Sequence, residues 1–402
     1  MGTPEQASQA PHLTYDPSPE GGPPPILEFR PGEPGVCPVR LQVSDREALV
    51  FRTRDSATTA LRSTDFGVAP LGDEHAVTGA VCQHEEGLLR IDPPVVSALR
   101  KAIRPLFSDR SIDKWRPALE QAADTIVGNM STSAQPANLT EVFSDPLVAA
   151  ASGITAGIPA EDWPRLRDSS DRTLALVESP DDLKDVHEAW SGLYEYSEGF
   201  IAKKEAAPDQ TILSDTIAVF KEAGLSDKQL VHAFATVING FPTPTAVIDA
   251  SVLELLHRPD VVAACLETPG LWRLTIEEVL RHKAHFAAVL PRVALRDVEV
   301  EGVQIPKGTI VIPSLLAAVN DPSHTEKPGV FDPTQTANRS LVFGTGPHVC
   351  PGAGLTRQWL RIGMQSLFTQ RPELRLATDI SEIKLQKGML PLPESIPIRW
   401  NS

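Results

Sequence analysis

Residues 343–357 read Phe-Gly-Thr-Gly-Pro-His-Val-Cys-Pro-Gly-Ala-Gly-Leu-Thr-Arg. Cys350 sits at the centre of this glycine-rich loop, directly ahead of an apolar helical stretch from Leu355 to Gln370. A buried anionic sulfur needs amide N–H donors around it, which lower its pKa and tune its potential. The N-terminus of the following helix favours negative charge at the same place. Glycines let the backbone fold closely over a flat ligand, and His348 supplies a basic side chain two residues from the sulfur. A cysteine alone in such a turn would carry no chemistry. With Phe343, Gly346, His348, Gly352, Leu355 and Arg357 around it, the loop suits a thiolate bound to haem iron.

The rest of the chain is compatible with a large, mainly helical protein. Its 402 residues are 41% hydrophobic, ample for a sizeable core. A net charge of −15 repels phosphate backbones and anionic lipid, so nucleic acid and membrane surfaces are not expected partners. Apolar runs such as Thr309 to Val319 are too short to span a bilayer. Residues 1–25 hold seven prolines and three glycines and read as a flexible N-terminal arm, with 26–402 as a single domain. Cys37, Cys82, Cys265 and Cys350 are scattered. They form neither a disulfide framework nor a zinc spacing, which fits a reducing cytoplasm. The first three read as small hydrophobes.

Apolar spacing predicts helices over 94–107, 112–130, 139–157, 182–204, 271–282 and 355–370. A longer helical stretch runs from a cap at Ser226 or Asp227 to Leu256, interrupted by Pro242 and Pro244. Short β-branched runs at 41–43, 49–51, 298–300 and 309–312 predict strands of a small sheet. The fold class is therefore mainly α with minor β.

The loop around Cys350 resembles the FxxGxHxCxG signature of cytochromes P450, and the match is complete. The resemblance implies that family's fold, a triangular helical prism with small β-sheets. It also implies haem b as cofactor, Cys350 as the iron ligand, and Phe343 and Gly352 packed against the haem. Glu278-Val279-Leu280-Arg281 resembles the family's buried Glu–Arg lock. Arg292, His348 and Arg100 match positions that bind haem propionates. The histidine usual near the start of the Arg100 helix is replaced by Val96. The family's further arginine near the lock is absent, with Val330 and Gln335 at its candidate positions, so what completes that network is open.

Family members that insert oxygen carry an acid–alcohol pair in the long central helix, which supplies protons for oxygen activation. Here Thr243 falls on the alcohol position, Pro242 replaces the acid, and Gly240 lies within the same stretch. Pro351, directly after the ligand, removes an amide that could donate to the sulfur, which leaves a more electron-rich thiolate. Cys350-Pro351-Gly352, Leu290-Pro291-Arg292 and Leu99-Arg100-Lys101-Ala102 resemble bacterial family members that oxidise cyclic dipeptides (diketopiperazines). The resemblance implies radical coupling of an aromatic cyclodipeptide, with ferredoxin and ferredoxin reductase as electron donors. Arg104, Arg110, Arg357 and Arg361 are candidates for the docking face. His285 and Phe286 are expected to overhang the haem and meet the substrate. Further substrate contacts are expected from 66–89, 165–194, 239–245 and 389–391. A conventional hydroxylase or epoxidase, a peroxide-driven haem enzyme and a non-catalytic haem protein remain open beside the coupling reading.

Overall fold

A computed structural model describes residues 10–14, 16, 25–27, 32–282, 291–335, 341–384 and 393–400. His285, Phe286 and the 389–391 segment lie outside these described residues.

The strands are β1 (Val36–Arg40), β2 (Glu47–Phe51), β3 (Phe66–Gly67), β4 (Ala137–Asn138), β5 (Arg292–Ala294), β6 (Val298–Val300), β7 (Val303–Ile305), β8 (Ile310–Pro313), β9 (Arg375–Leu376) and β10 (Pro397–Arg399). The largest sheet has five of them in the order β1-β2-β8-β5-β3. Its middle pair, β2 and β8, runs parallel with Val50 opposite Ile312. Both residues are fully buried, as expected for parallel strands covered on both faces. The strand expected over 41–43 forms five residues earlier. Residues 42–44 are instead a turn, closed by Asp45 at φ 53° and by its ion pair with Arg40. Pro11 and Leu13, within the stretch expected to be a loose arm, hydrogen-bond to Arg40, and Leu13 is buried.

The principal helices are α1 (Val95–Ile103), α2 (Arg116–Asn129), α3 (Asp145–Ala156), α4 (Trp163–Leu174), α5 (Pro180–Ala206), α6 (Asp227–Asn239), α7 (Pro244–Leu256), α8 (Trp272–His282) and α9 (Ala353–Gln370). α5 and α6 both start with capping boxes, Ser179 with Asp182 and Ser226 with Gln229. In each box the side chains satisfy amides that the first helical turn leaves open. Along α9, Leu355, Trp359, Ile362 and Leu367 fall on the buried side, and α9 lies against α2 and α8. Each such side chain, fully buried, contributes about 2–3 kcal/mol. α9 is thereby anchored in the main hydrophobic core, and the loop that precedes it is held at a fixed depth.

The Glu–Arg lock ties α8 to the 320–335 segment. Arg281 donates from Nε to Glu278 Oε2 at 2.7 Å and from Nη2 to Glu278 Oε1 at 2.6 Å, and both side chains are buried. Arg281 also donates to the Asn320 side chain and to the Val330 carbonyl. The network left open by the sequence is completed by the amide of Asp332, 2.7 Å from Glu278 Oε1. The Gln335 carboxamide adds donors at 3.5 Å to the same oxygen and at 3.0 Å to Val330 O. A neutral amide and a backbone N–H thus stand where the family's arginine is missing.

Removing one partner of a buried pair strands the other charge. Glu278→Ala should therefore lose roughly 3–5 kcal/mol of stability in urea unfolding. The double variant Glu278→Leu/Arg281→Met should recover much of it, because no unpaired charge remains.

Candidate active site

The cysteine loop leaves a 3-10 turn at Leu341–Phe343, passes a second at Gly346–His348, and enters α9 at Ala353. The Cys350 amide donates back to Phe343 O at 2.9 Å, which closes the loop on itself. Gly344 and Gly346 have φ of 71° and 75°. At Gly346 a Cβ would stand 2.2 Å from the Leu61 carbonyl oxygen, so only glycine fits. Gly352 is the N-cap of α9. The amides of Gly352 and Ala353 are hydrogen-bonded to the Cys350 sulfur.

Cys350 lies deep in the protein, and the surface it exposes opens into an internal cavity of about 340 Å³. Burial raises the pKa of its thiol. Arg100, the two amides and Arg357 oppose that shift and favour the thiolate. The other cysteines behave as hydrophobes: Cys82 and Cys265 are buried, and Cys37 is half-buried with its thiol on the Pro34 carbonyl.

The cavity is mostly apolar. Cys350, Arg100, Arg292, Phe343, His348, Gly352, Gly240 and Thr243 all line it, whereas Pro242, at the acid position, is not among the lining residues. Arg292 is 3% exposed, and burial pushes its guanidinium down to about 10. Burial, then Arg292 and Arg100, push the His348 imidazole down to about 3. The Leu88 backbone lies close to the His348 ring, but neither ring nitrogen makes a well-aligned hydrogen bond to a described residue. Arg100 gives Nη1 to Val349 O at 2.7 Å, while its buried Nε has no partner among the described residues. Three basic side chains converge on the cavity here. This donor set fits a flat ligand that brings its own carboxylates, and haem b with its two propionates is such a ligand.

On the opposite wall the central helix is broken between α6 and α7, as the two prolines predict. Pro244 has no N–H for the Gly240 carbonyl, and the Thr243 hydroxyl takes its place at 2.7 Å. Helix α4 covers the break. Ser170 donates to Asn239 O at 3.2 Å, Thr173 to the Asn239 side chain at 3.1 Å, and Arg167 reaches Pro242 O at 3.4 Å. The acid position remains proline, with its carbonyl facing α4.

Sequence reasoning missed the residues that shape the cavity rim. Thr236 donates to the Gln83 carboxamide at 2.8 Å and accepts from the Leu88 amide at 3.2 Å, tying the 83–90 loop to α6. Arg90, 9% exposed, donates to the carbonyls of Leu71, Val81 and Gln83. A lone arginine amid apolar residues was the only signal. Ala80, Leu88, Leu89 and Leu174, from segments expected to meet substrate, do line the cavity. Of the arginines proposed for docking, Arg104 and Arg110 are exposed, whereas Arg357 is held by Glu277 and stacks on Phe343.

Residues 271–392 match the cytochrome P450 family profile. Vitamin D(3) 25-hydroxylase of Pseudonocardia autotrophica is 32% identical over 306 residues, which is 75% of each chain. The chain belongs to the cytochrome P450 family. Mycocyclosin synthase of Mycobacterium tuberculosis is similar to this P450 over 93% of its length and 95% of the synthase, at 28% identity. The crystal structure of cytochrome P450mel 107F1, which has biaryl coupling reactivity, superposes with a TM-score of 0.84 at 27% identity, covering 93% of this P450 and 97% of that chain. The expected fold is thus the observed one, and the family binds haem b through a cysteine thiolate. This P450 is a haem oxidase of bacterial secondary metabolism, with hydroxylating and coupling enzymes among its relatives. No helix among its described residues is long and apolar enough to cross a membrane.

Proposed function

We propose that Cys350 is the iron ligand, that Arg292, Arg100 and His348 hold the propionates, and that this P450 joins carbon or nitrogen atoms of an aromatic cyclodipeptide by radical coupling. Bound haem b supplies oxidising power sufficient to remove hydrogen atoms from an aromatic substrate. As in bacterial relatives generally, the electrons come from a ferredoxin and its reductase.

The observation that carries this reading is the cavity wall at α6–α7. Pro242 offers no proton, and the Thr243 hydroxyl is committed to the Gly240 carbonyl. A wall with few mobile protons is poorly equipped for insertion of an oxygen atom. The apolar lining excludes water, and the clamps at Thr236 and Asn239 keep that lining fixed. A substrate radical couples only if its partner is held at near-bonding distance. The same cavity seats the haem, so the substrate is confined to what the haem leaves free beside the α6–α7 wall. The similarity to mycocyclosin synthase adds support for the cyclodipeptide class.

A panel of cyclic dipeptides, read by the shift of the haem absorption band, tests the substrate class. Dipeptides containing tyrosine or tryptophan should bind, and turnover with ferredoxin and reductase should yield products lacking two hydrogens. Products that gain one oxygen would instead establish a conventional hydroxylase, and absence of any band shift across the panel would remove the cyclodipeptide reading. A second prediction concerns the sulfur. Pro351→Leu adds an amide donor next to the Gly352 and Ala353 amides. The haem reduction potential should rise by tens of millivolts, on the order of a tenfold change for a one-electron couple. An unchanged potential would show that residue 351 does not tune the thiolate.

A further inference from the structure

One cluster outside the haem cavity has ligand chemistry of its own. His84 and Glu86 lie on the loop that follows the 3-10 turn Gly79–Cys82, and His232 lies on α6. Their ligating atoms lie within 4.8 Å of one another. His232 Nδ1 is 3.0 Å from Glu86 Oε2, and His84 Nδ1 is 3.6 Å from the same oxygen. The two imidazoles are stacked, with centroids 3.8 Å apart and an interplanar angle of 21°.

We propose that His84, Glu86 and His232 bind a borderline divalent transition-metal ion, with zinc as the reference case. Ligand atoms about 2.1 Å from one zinc ion stand roughly 3.4 Å apart at tetrahedral angles. The two observed distances to Glu86 bracket that value. Two imidazoles and one carboxylate are a donor set that suits zinc, nickel or copper better than magnesium or calcium. A fourth position is left for water.

The surroundings hold the ligands in place. The Tyr194 ring packs edge-on against His232 at 4.7 Å, and the Tyr194 hydroxyl accepts the His84 amide at 2.7 Å. The Glu86 amide donates to His84 Nδ1 at 3.2 Å, so on binding the ion replaces that amide at Nδ1 or the ring turns to offer Nε2. Lys228 lies within electrostatic range and weakens cation binding, while Glu85 opposes it. His232 is one helical turn before Thr236, whose hydroxyl accepts the Leu88 amide at the cavity rim. An ion at this site therefore braces the loop that borders the cavity.

Zinc chloride titrated calorimetrically into the haem-loaded, EDTA-stripped protein should bind about one equivalent per chain and raise the thermal unfolding midpoint. Glu86→Gln and His232→Ala should each weaken binding by roughly a hundredfold or more, because each removes one of three protein ligands. His187→Ala is the control: His187 contacts Asp73 on the surface beside α6 and takes no part in the cluster. Magnesium should give no heat. If the buried His232 variant fails to fold, His84→Ala on the loop gives the same reading. Binding that survives these substitutions, or that is lost equally in His187→Ala, would overturn the proposal. No zinc binding by the parent would leave a stacked His–Glu contact and nothing more.

Discussion

A sulfur anion buried in protein is unstable unless something shares its charge. Most of the arrangement around Cys350 answers that constraint. Burial drives the thiol toward its neutral form, and Arg100, the amides of Gly352 and Ala353, and Arg357 act against it. An iron ion bound to the sulfur would complete the compensation. The remaining architecture keeps these groups in position. α9 is anchored by apolar burial, the loop is closed by the Cys350–Phe343 hydrogen bond, and Gly346 allows the loop to touch the Leu61 carbonyl.

The same logic of unmet charge and unmet hydrogen bonds runs through the cavity. Arg292 and Arg100 bring buried positive charge to His348 and hold its imidazole neutral, a setting that a dianionic ligand would relieve. Two prolines break the central helix; Thr243 takes up the Gly240 carbonyl that Pro244 cannot serve, and Ser170 and Arg167 reach the neighbouring carbonyls of Asn239 and Pro242. The backbone carbonyls of Asn239, Gly240 and Pro242 at the break therefore all have hydrogen-bond partners. The break forms one wall of the cavity into which the Cys350 sulfur opens.

What could be read from the sequence was local. The cysteine loop, the Glu278–Arg281 pair three residues apart, and the proline break each declare themselves within a few residues, because turn geometry and helix periodicity act at short range. Long-range contacts were hidden. Glu86 and His232 are 146 residues apart, and Gln83 and Thr236 are 153 apart, so no window joins them. The missing arginine beside the lock was visible as an absence. Its replacement by the Asp332 amide was not, since a backbone donor has no residue code. The shift of β1 from 41–43 to Val36–Arg40 depends on Asp45 adopting a left-handed conformation, which apolar alternation does not report.

The central claim is that Cys350 binds haem iron as a thiolate. Its most direct test is the absorption spectrum of the reduced carbon monoxide adduct of the haem-loaded protein. The account predicts a strongly red-shifted Soret band, abolished in Cys350→Ala. A band at the position given by histidine-ligated haem proteins, or one unaffected by Cys350→Ala, would contradict it.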